Sequence, residues 1–441
     1  MLGPYGDVLK RPGALAFSAS GALARLPMSM VGIGIVLMVS AIYDSYGLAG
    51  RVSAVYVIAQ AVCSPQLSRL VDRHGQARIM RPAVAVSAAG LVGLIVAAIV
   101  EAPEAVLYVT AAVTGAAIGS FGSLVRARWS NTLSDPRQLH TAYALESAVD
   151  ELVFVVGPVA ATLLATGVEP TAGLIVPLVA MIIGGYWFCA LRATEPPVAP
   201  KDQPRPTGSV LRTPAMLVLV LVFVAMGSIF GANDVSTVAF ADEAGQKNLA
   251  GPVLAVFAAG SLVSGLLYGT RHWKRPLHQR FANGMIALAV GVSLFFLVDS
   301  LWMLAAVMFV TGFAIAPTLI NGNALVQQLV PPERLTEGLT WVGTALGVGV
   351  SVGSSIAGAQ IDENGSRAGF RVVVVSAVVA VVAVLLSYRT LRGKHTGHVH
   401  DQLEDQSVSA SAGASVSAAE LAECVESNRF DDDGRSATVE R

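Results

Sequence analysis

Long apolar stretches recur along the chain, and they lack the strict alternation of apolar and polar positions that marks a half-buried strand. Each is close to or above the roughly 20 residues that a helix needs to cross a hydrocarbon core of about 30 Å. Only helices and closed barrels satisfy the backbone polar groups in lipid. The pattern therefore predicts an all-α polytopic membrane protein with twelve transmembrane helices. The predicted segments are about 14–40, 49–70, 79–100, 103–126, 141–165, 171–191, 214–240, 250–270, 281–298, 301–328, 337–360 and 369–389.

Composition supports the membrane class and excludes several others. The chain is 54% hydrophobic and 13% charged, whereas a soluble domain carries about 25% charged residues. The three cysteines show neither metal spacing nor a disulfide framework. There is no phosphate-binding loop of the GxxxxGK[ST] kind, no nucleophile arrangement and no nucleic-acid-binding surface. We therefore expect a protein that is not an enzyme and that uses no cofactor and no metal.

The basic residues between the apolar segments predict the orientation of the chain. If the N-terminus is cytoplasmic, 21 lysines and arginines lie on the cytoplasmic side and only 4 on the other side, Arg51, Lys247, Arg367 and Arg371. Such an excess marks the cytoplasmic loops of membrane proteins. We expect a multi-pass protein of the cell membrane with both termini in the cytoplasm.

Proline and charge divide the chain into parts. The stretch RATEPPVAPKDQPRPTGSVLRTP, residues 192–214, predicts an extended cytoplasmic linker over 193–213. It separates an N-terminal six-helix half, 1–192, from a C-terminal six-helix half, 214–392. LSDPRQL (133–139) and LVPPERL (329–335) repeat at an offset of 196 residues, which indicates that the halves are duplicated. Residues 393–441 are rich in acidic and small side chains and predict a disordered tail.

One loop carries a family resemblance. SRLVDRHGQAR, residues 68–78, resembles the signature between helices 2 and 3 of the major facilitator superfamily, with Asp72, Arg73 and Gly75 in place. Ser68 replaces the usual leading glycine, and Gln76 and Ala77 replace the basic pair. The resemblance implies the major facilitator fold, transport by alternating access, and a latch between the halves at this loop. Arg126, at the inner end of the fourth segment, is a candidate partner of Asp72 or of the substrate.

Ionisable residues inside apolar segments are costly and usually functional. Glu146 and Asp150, in ALESAVDELVFVVGP, share one helix face, and Arg25 lies inside the first segment. We predict an ion-pair cluster of Arg25 with Glu146, Asp150 and Glu151. One arginine cannot neutralise three carboxylates, so Asp150, Glu146 and Arg25 are candidates for proton coupling. The alternative is that the cluster only fixes helix packing.

The family resemblance marks further residues as candidates for a role in transport. Gly157 and Pro158 match part of the helix-5 motif of antiporters, which implies export. In the family, helices 1, 4, 7 and 10 surround a central cavity. The substrate-cavity candidates on the seventh and tenth segments are Asn233, Asp234, Thr318, Asn321 and Asn323. We expect Arg128 to serve as a positive-inside anchor and Glu337 to satisfy a helix N-terminus.

The sequence favours a secondary active transporter, working as a monomer, that exports a small organic or amphiphilic compound in exchange for protons. Two alternatives remain open at this point. One is an importer or facilitator of a sugar or metabolite on the same scaffold. The other is a membrane sensor or partner protein that does not transport, and whose acidic tail recruits other proteins.

Overall fold

The computed structural model describes residues 3–198, 209–246, 249–271 and 273–392. In these ranges the chain forms a short N-terminal helix, Gly3–Leu9, and twelve helical spans long and apolar enough to cross a membrane. Spans 1 to 12 are Ala14–Tyr43, Leu48–His74, Gln76–Ile99, Glu104–Thr132, Pro136–Gly167, Ala172–Ala190, Pro214–Glu243, Ala250–Gly269, Leu277–Leu297, Leu301–Leu329, Pro332–Asn364 and Ser366–Leu386. All twelve predicted segments are confirmed.

Because the spans number twelve, the two ends of the described chain lie on one side of the membrane. We call this the terminal side; it also carries the loops between spans 2 and 3, 4 and 5, 8 and 9, and 10 and 11. The other side is the far side. Residues 199–208 of the predicted linker and the predicted tail, 393–441, lie outside the described residues, as does Lys247.

Local sequence explains where several spans begin and end. Asp135 accepts a hydrogen bond from the backbone N–H of Arg137 at the start of span 5, and Pro136 occupies the first turn, where its missing N–H costs nothing. Gly75 ends span 2 and starts span 3 with φ +93°, a backbone region that favours glycine. Span 4 is two helices, Glu104–Ala117 and Phe121–Thr132, separated near Gly119 at φ +70°.

The spans form two six-helix halves, with one main cluster of buried apolar residues in each. The first cluster of buried apolar residues lies mostly in spans 1–6 and includes Phe17 and Trp129. The second lies in spans 7–12 and includes Phe223 and Phe281. The first cluster also takes in Tyr268 and Ile320 from spans 8 and 10, so the halves share part of their packing.

Burial along span 5 shows where the halves meet. Near the terminal side, eight of the ten residues from Leu139 to Ala148 are buried on all sides of the helix. Beyond Asp150 only Val153, Gly157, Ala161 and Ala165 are buried, a single stripe with a period of four. Gly157 and Ala161 face spans 1 and 6 of the same half. The far half of span 5 therefore packs only through one narrow stripe, and its other faces are open.

Span 11 repeats this pattern in the second half. Residues 335–340 are all buried near the terminal side, whereas beyond Thr340 only Val342, Ala345, Gly349, Gly353 and Ala357 are buried. Gly349 and Gly353 lie directly against the backbone of span 7 in the same half. Toward the far side, spans 5 and 11 thus pack within their own halves, which indicates an opening between the halves on that side.

Candidate functional site

A buried network of four charged side chains connects spans 1, 4 and 5. Arg25 Nη1 donates to Asp150 Oδ1 at 2.6 Å, and Arg25 Nη2 donates to Glu146 Oε2. Arg126 Nη2 donates to Asp150 Oδ2 at 2.7 Å. Arg25 and Glu146 are almost completely buried, whereas the side chain of Asp150 is 23% exposed. The predicted pairing of Arg25 with Glu146 and Asp150 is thus present, and Asp150 is its most accessible carboxylate.

Two features of this network differ from the sequence prediction. Arg126 pairs with Asp150, and its proposed pairing with Asp72 is wrong in this conformation. Glu151 is not joined to Arg25; it lies next to Ser261 of span 8. Two arginines therefore face two carboxylates, and the network is neutral as built. The excess of carboxylates that the sequence predicts is therefore absent from this network.

Neutral side chains complete the surroundings of Glu146. Its Oε1 accepts hydrogen bonds from Ser18 Oγ at 2.7 Å and from Trp129 Nε1 at 2.8 Å. A buried carboxylate is tolerated only when it is paired and hydrogen-bonded. The sequence analysis missed both residues. The sequence does indicate that Trp129 is near the network, because it lies three residues after Arg126 and therefore shares its helix face.

A second polar cluster joins spans 2 and 11 at the terminal side. Asp72 accepts a hydrogen bond from the backbone N–H of Glu337 at 2.9 Å, and it also accepts from Thr336. Arg69 Nη2 donates to the buried Glu337 Oε1 at 2.8 Å. A carboxylate at a helix N-terminus pairs with unsatisfied N–H groups and with the positive end of the helix dipole. These contacts hold the two halves together, in the place where the sequence predicts a latch.

The departures from the loop signature have structural roles. The Ser68 hydroxyl lies 2.8 Å from the Thr340 hydroxyl across the two halves. Gln76 Nε2 donates to the carbonyl of Leu124 at 3.2 Å. Arg73 is exposed to solvent. A side chain at position 75 would collide with Glu195. The glycine of the signature is therefore needed here for close packing.

Arg128, which the sequence predicts to be a positive-inside anchor, packs inside the first half. It is completely buried, and its guanidinium lies 3.8 Å from the ring centroid of Phe188. It donates to Gln76 Oε1 at 2.8 Å and to the carbonyls of Phe188 and Leu191 at 3.1 and 2.8 Å. Cations are favoured at helix C-terminal carbonyls. Arg128 therefore ties spans 3, 4 and 6 together.

A second contact between the halves lies at the C-terminal end of span 8. The carbonyl of Gly269 accepts from Thr141 Oγ1 at 2.8 Å, and the carbonyl of Tyr268 lies 3.2 Å from His140 Nε2. Tyr5, from the N-terminal helix, donates its hydroxyl to the carbonyl of Leu266 at 2.6 Å. Donors of the first half thus satisfy carbonyls of the second half that a helix end leaves unpaired.

We expect Tyr5→Phe to weaken closure of the terminal side. Burial raises the pKa of Tyr5 to about 12, so the hydroxyl keeps its proton and remains a donor near neutral pH. Removing one such hydrogen bond costs roughly 0.5–1.5 kcal/mol, which corresponds to about a 2- to 10-fold shift in the open-to-closed ratio. The measurement is the labelling rate of a cysteine in the span 5–span 8 contact by a membrane-impermeant maleimide. An unchanged rate would show that the Tyr5 hydroxyl does not hold the contact shut.

The candidates for the substrate cavity separate into different environments. Thr318 and Asn321 of span 10 are buried; Thr318 donates to the carbonyl of Ala314 at 2.6 Å, and Asn321 Nδ2 donates to Tyr268 Oη at 2.9 Å. Asn323 donates to the carbonyl of Leu319 at 3.0 Å. Asp234 of span 7 is exposed, while the neighbouring Asn233 is fully buried. Asp234 is thus the most accessible member of this set.

Gly157, which precedes Pro158 in the helix-5 motif, allows spans 1 and 5 to approach closely. A side chain at Gly157 would collide with Ser29 and lie 3.2 Å from Met30 Cγ of span 1. We expect Gly157→Val to destabilise the protein by about 1–3 kcal/mol through overpacking, seen as a lower melting temperature in detergent. Gly167→Val is the matched control, because no atom lies within 4 Å of a Cβ there. Equal melting temperatures for the two variants would contradict this packing role.

A family model that matches most of the chain identifies the family. Residues 17–282 and 281–419 match the model of the Major Facilitator Superfamily. The chain belongs to this superfamily. A comparison with curated protein sequences finds no match. As a member of the superfamily the chain is a transport protein of the membrane, and the resemblance of the loop over residues 68–78 is confirmed.

Solved structures share the fold of this major facilitator protein at low sequence identity. The human organic anion transporter MFSD10 (TETRAN) is 14% identical over 86% of this chain and 97% of its own, with a TM-score of 0.61. A bacterial homologue of the iron transporter ferroportin, in an outward-facing state, is 15% identical over 86% of this chain and 98% of its own, with a TM-score of 0.65. These similarities show the fold alone.

Proposed function

We propose that this major facilitator protein exports a small organic or amphiphilic compound across the cell membrane in exchange for protons. The single observation that carries the proposal is the carboxylate of Asp150. It lies inside the membrane, is partly exposed, and is shared by Arg25 and Arg126 from two other spans. A carboxylate placed in this way can lose or gain a proton while its charged neighbours rearrange.

The exchange of one proton at Asp150 changes the charge of the whole network. With Asp150 ionised, Arg25 and Arg126 are both paired and the network is neutral. With Asp150 protonated, Glu146 still pairs with Arg25, and Arg126 is left with an excess positive charge. Arg126 is then free to change its partner, and the helices that it joins lose one contact. This is how proton binding would favour one conformation over the other.

The conformation also fits alternating access. The contacts between the halves at spans 2 and 11 and at spans 5 and 8 close the terminal side, and the cavity opens to the far side. If the terminal side is the cytoplasm, as the loop charges predict, this is an outward-open state. The similar ferroportin homologue is outward-facing as well. Gly157 and Pro158 match part of an antiporter motif, which supports export over import.

The test uses inside-out membrane vesicles energised to acidify their interior, with a pH-sensitive dye that reports the gradient. A panel of antibiotics, dyes and sugars is added to vesicles that contain wild type or Asp150→Asn. We expect at least one compound to dissipate the gradient with wild type and not with Asp150→Asn. An equal response in both would contradict proton exchange at Asp150. Uptake of a labelled sugar that needs no gradient would instead support the importer or facilitator.

A further inference from the structure

Asp234 differs from the other carboxylates inside the membrane. Glu146 and Asp150 pair with arginines, Glu337 pairs with Arg69, and Asp72 accepts from the start of span 11. Glu151 lies against Ser261. Within the described ranges, Asp234 has no such partner. Because the network around Asp150 is neutral, a molecule in the cavity meets the uncompensated negative charge of Asp234.

The position of Asp234 on span 7 places it at the opening between the halves. Near the terminal side of span 7, Leu217 and Leu221 are large apolar residues with exposed side chains. From these, Asp234 lies roughly 100–140° around the helix at 3.6 residues per turn. Gly231, one turn earlier, packs on Val350 of span 11 in the same half. Asp234 is therefore exposed on a different helix face from Leu217 and Leu221, in the far-side part of span 7.

Polar groups without partners lie next to Asp234. Asn233 is fully buried, and neither its Nδ2 nor its Oδ1 has a hydrogen-bond partner in the described structure. The Thr237 hydroxyl, one turn farther along, is also buried and unpartnered. Each unsatisfied buried group is unfavourable, and native proteins rarely leave such groups unpaired. Three groups within five residues of one helix thus lack a partner, which points to a ligand that supplies one.

The chemistry of these groups defines the class of ligand. A carboxylate, an amide oxygen and a hydroxyl are acceptors, and together they suit a positively charged group, with N–H donors where it has them. Within the described residues, no group of three or more His, Cys, Asp or Glu side chains could hold a metal ion. Divalent ions generally require several anionic or imidazole ligands. The half-buried Phe230, one turn before Asp234, offers an apolar contact for the body of an organic cation.

We propose that Asp234, together with Asn233 and Thr237, forms a subsite for the charged nitrogen of an organic ammonium substrate. This rests on the proposed function, because it assigns a chemical class to the compound that the cavity carries. In exchange transport the two charges have separate sites. The substrate cation binds at Asp234 on span 7, and the proton binds at Asp150 on span 5.

The test measures binding to the purified full-length protein in detergent at neutral pH, without any gradient. The two probes are dansylcadaverine, which carries a primary ammonium group, and its N-acetylated derivative, which has the same fluorophore and no charge. We expect wild type to bind the charged probe at least about 10-fold more tightly, and Asp234→Asn to lose that preference. Asp234→Glu should retain most of it. Asp242→Asn, two turns farther along the same helix, is the control and should retain all of it.

The results separate this inference from the proposed function. A wild type without preference for the charged probe, whether both probes bind or neither binds, overturns the ammonium subsite. A preference that survives in Asp234→Asn overturns the assignment to Asp234. Neither result depends on transport or on Asp150, so proton exchange can fail in vesicles while the charge preference stands. Thermal unfolding of each variant confirms that it is folded before binding is compared.

Discussion

Glu146→Gln is expected to destabilise the protein more than any other single substitution in the charged network. The change leaves Arg25 with only one carboxylate, in a place where its side chain is 1% exposed. Removal of one partner of a buried ion pair costs roughly 3–5 kcal/mol, which corresponds to a fall in melting temperature on the order of 10 °C. The amide oxygen of the substituted side chain can still accept the hydrogen bonds from Ser18 and Trp129. The loss of stability therefore measures the effect of removing the charge. The measurement is thermal unfolding in detergent.

Glu151→Gln is the matched control for this prediction. It changes the same functional group in the same span, but Glu151 lies beside Ser261 and outside the arginine network. We expect its melting temperature to stay close to that of wild type. The double variant Arg25→Met with Glu146→Met should recover part of the lost stability, since an apolar pair leaves no buried charge. A Glu146→Gln variant as stable as wild type would show that the buried pair is not needed for folding.

Asp72→Ala is expected to shift the protein toward opening on the terminal side. Asp72 holds the N-terminus of span 11, and the contact crosses the two halves, so each half can fold without it. A hydrogen bond to a charged group contributes about 1.5–3 kcal/mol, so we expect a shift of roughly 10- to 100-fold in the open-to-closed ratio. The reporter is Ser261→Cys in a cysteine-free background. Ser261 is fully buried between spans 5 and 8.

The measured quantity is the rate at which a membrane-impermeant maleimide, supplied to the terminal side, modifies this cysteine. Arg73→Ala is the control, because Arg73 is the exposed neighbour of Asp72 in the same loop. We expect faster modification with Asp72→Ala and the parental rate with Arg73→Ala. The same rate in both variants would show that the span 2–span 11 contact does not keep the terminal side closed.

The sequence alone predicted the spans and part of the charged network for simple physical reasons. A run of about 20 apolar residues has few alternatives to a membrane helix, and an arginine inside such a run requires a carboxylate. Glu146 and Asp150, one turn apart, were the available partners for Arg25. Asp72 was identified from its place in the loop, although the helix end that it contacts follows only from the fold.

The contacts of other residues depend on how the spans pack, and no local sequence pattern reveals that packing. Arg126 and Arg128 are two residues apart, yet one reaches Asp150 and the other the C-terminal carbonyls of span 6. The sequence predicts that Asn321 lines the cavity. In the structure, its amide donates a hydrogen bond to the hydroxyl of Tyr268 in span 8. The contact of Tyr5 with span 8 joins residues 261 positions apart. Such pairings are decided by tertiary packing.

In alternating access, the two halves move about the cavity so that one side closes as the other opens. The most direct measurement uses pulsed electron paramagnetic resonance distances in lipid nanodiscs, on wild type and on Asp72→Ala. One pair of spin labels, at exposed positions Leu163 and Gly251, spans the far side; a second pair, at Arg78 and Glu333, spans the terminal side. We expect Asp72→Ala to lengthen the terminal-side distances and to shorten the far-side distances together. Longer terminal-side distances with an unchanged far side would contradict alternating access in this protein.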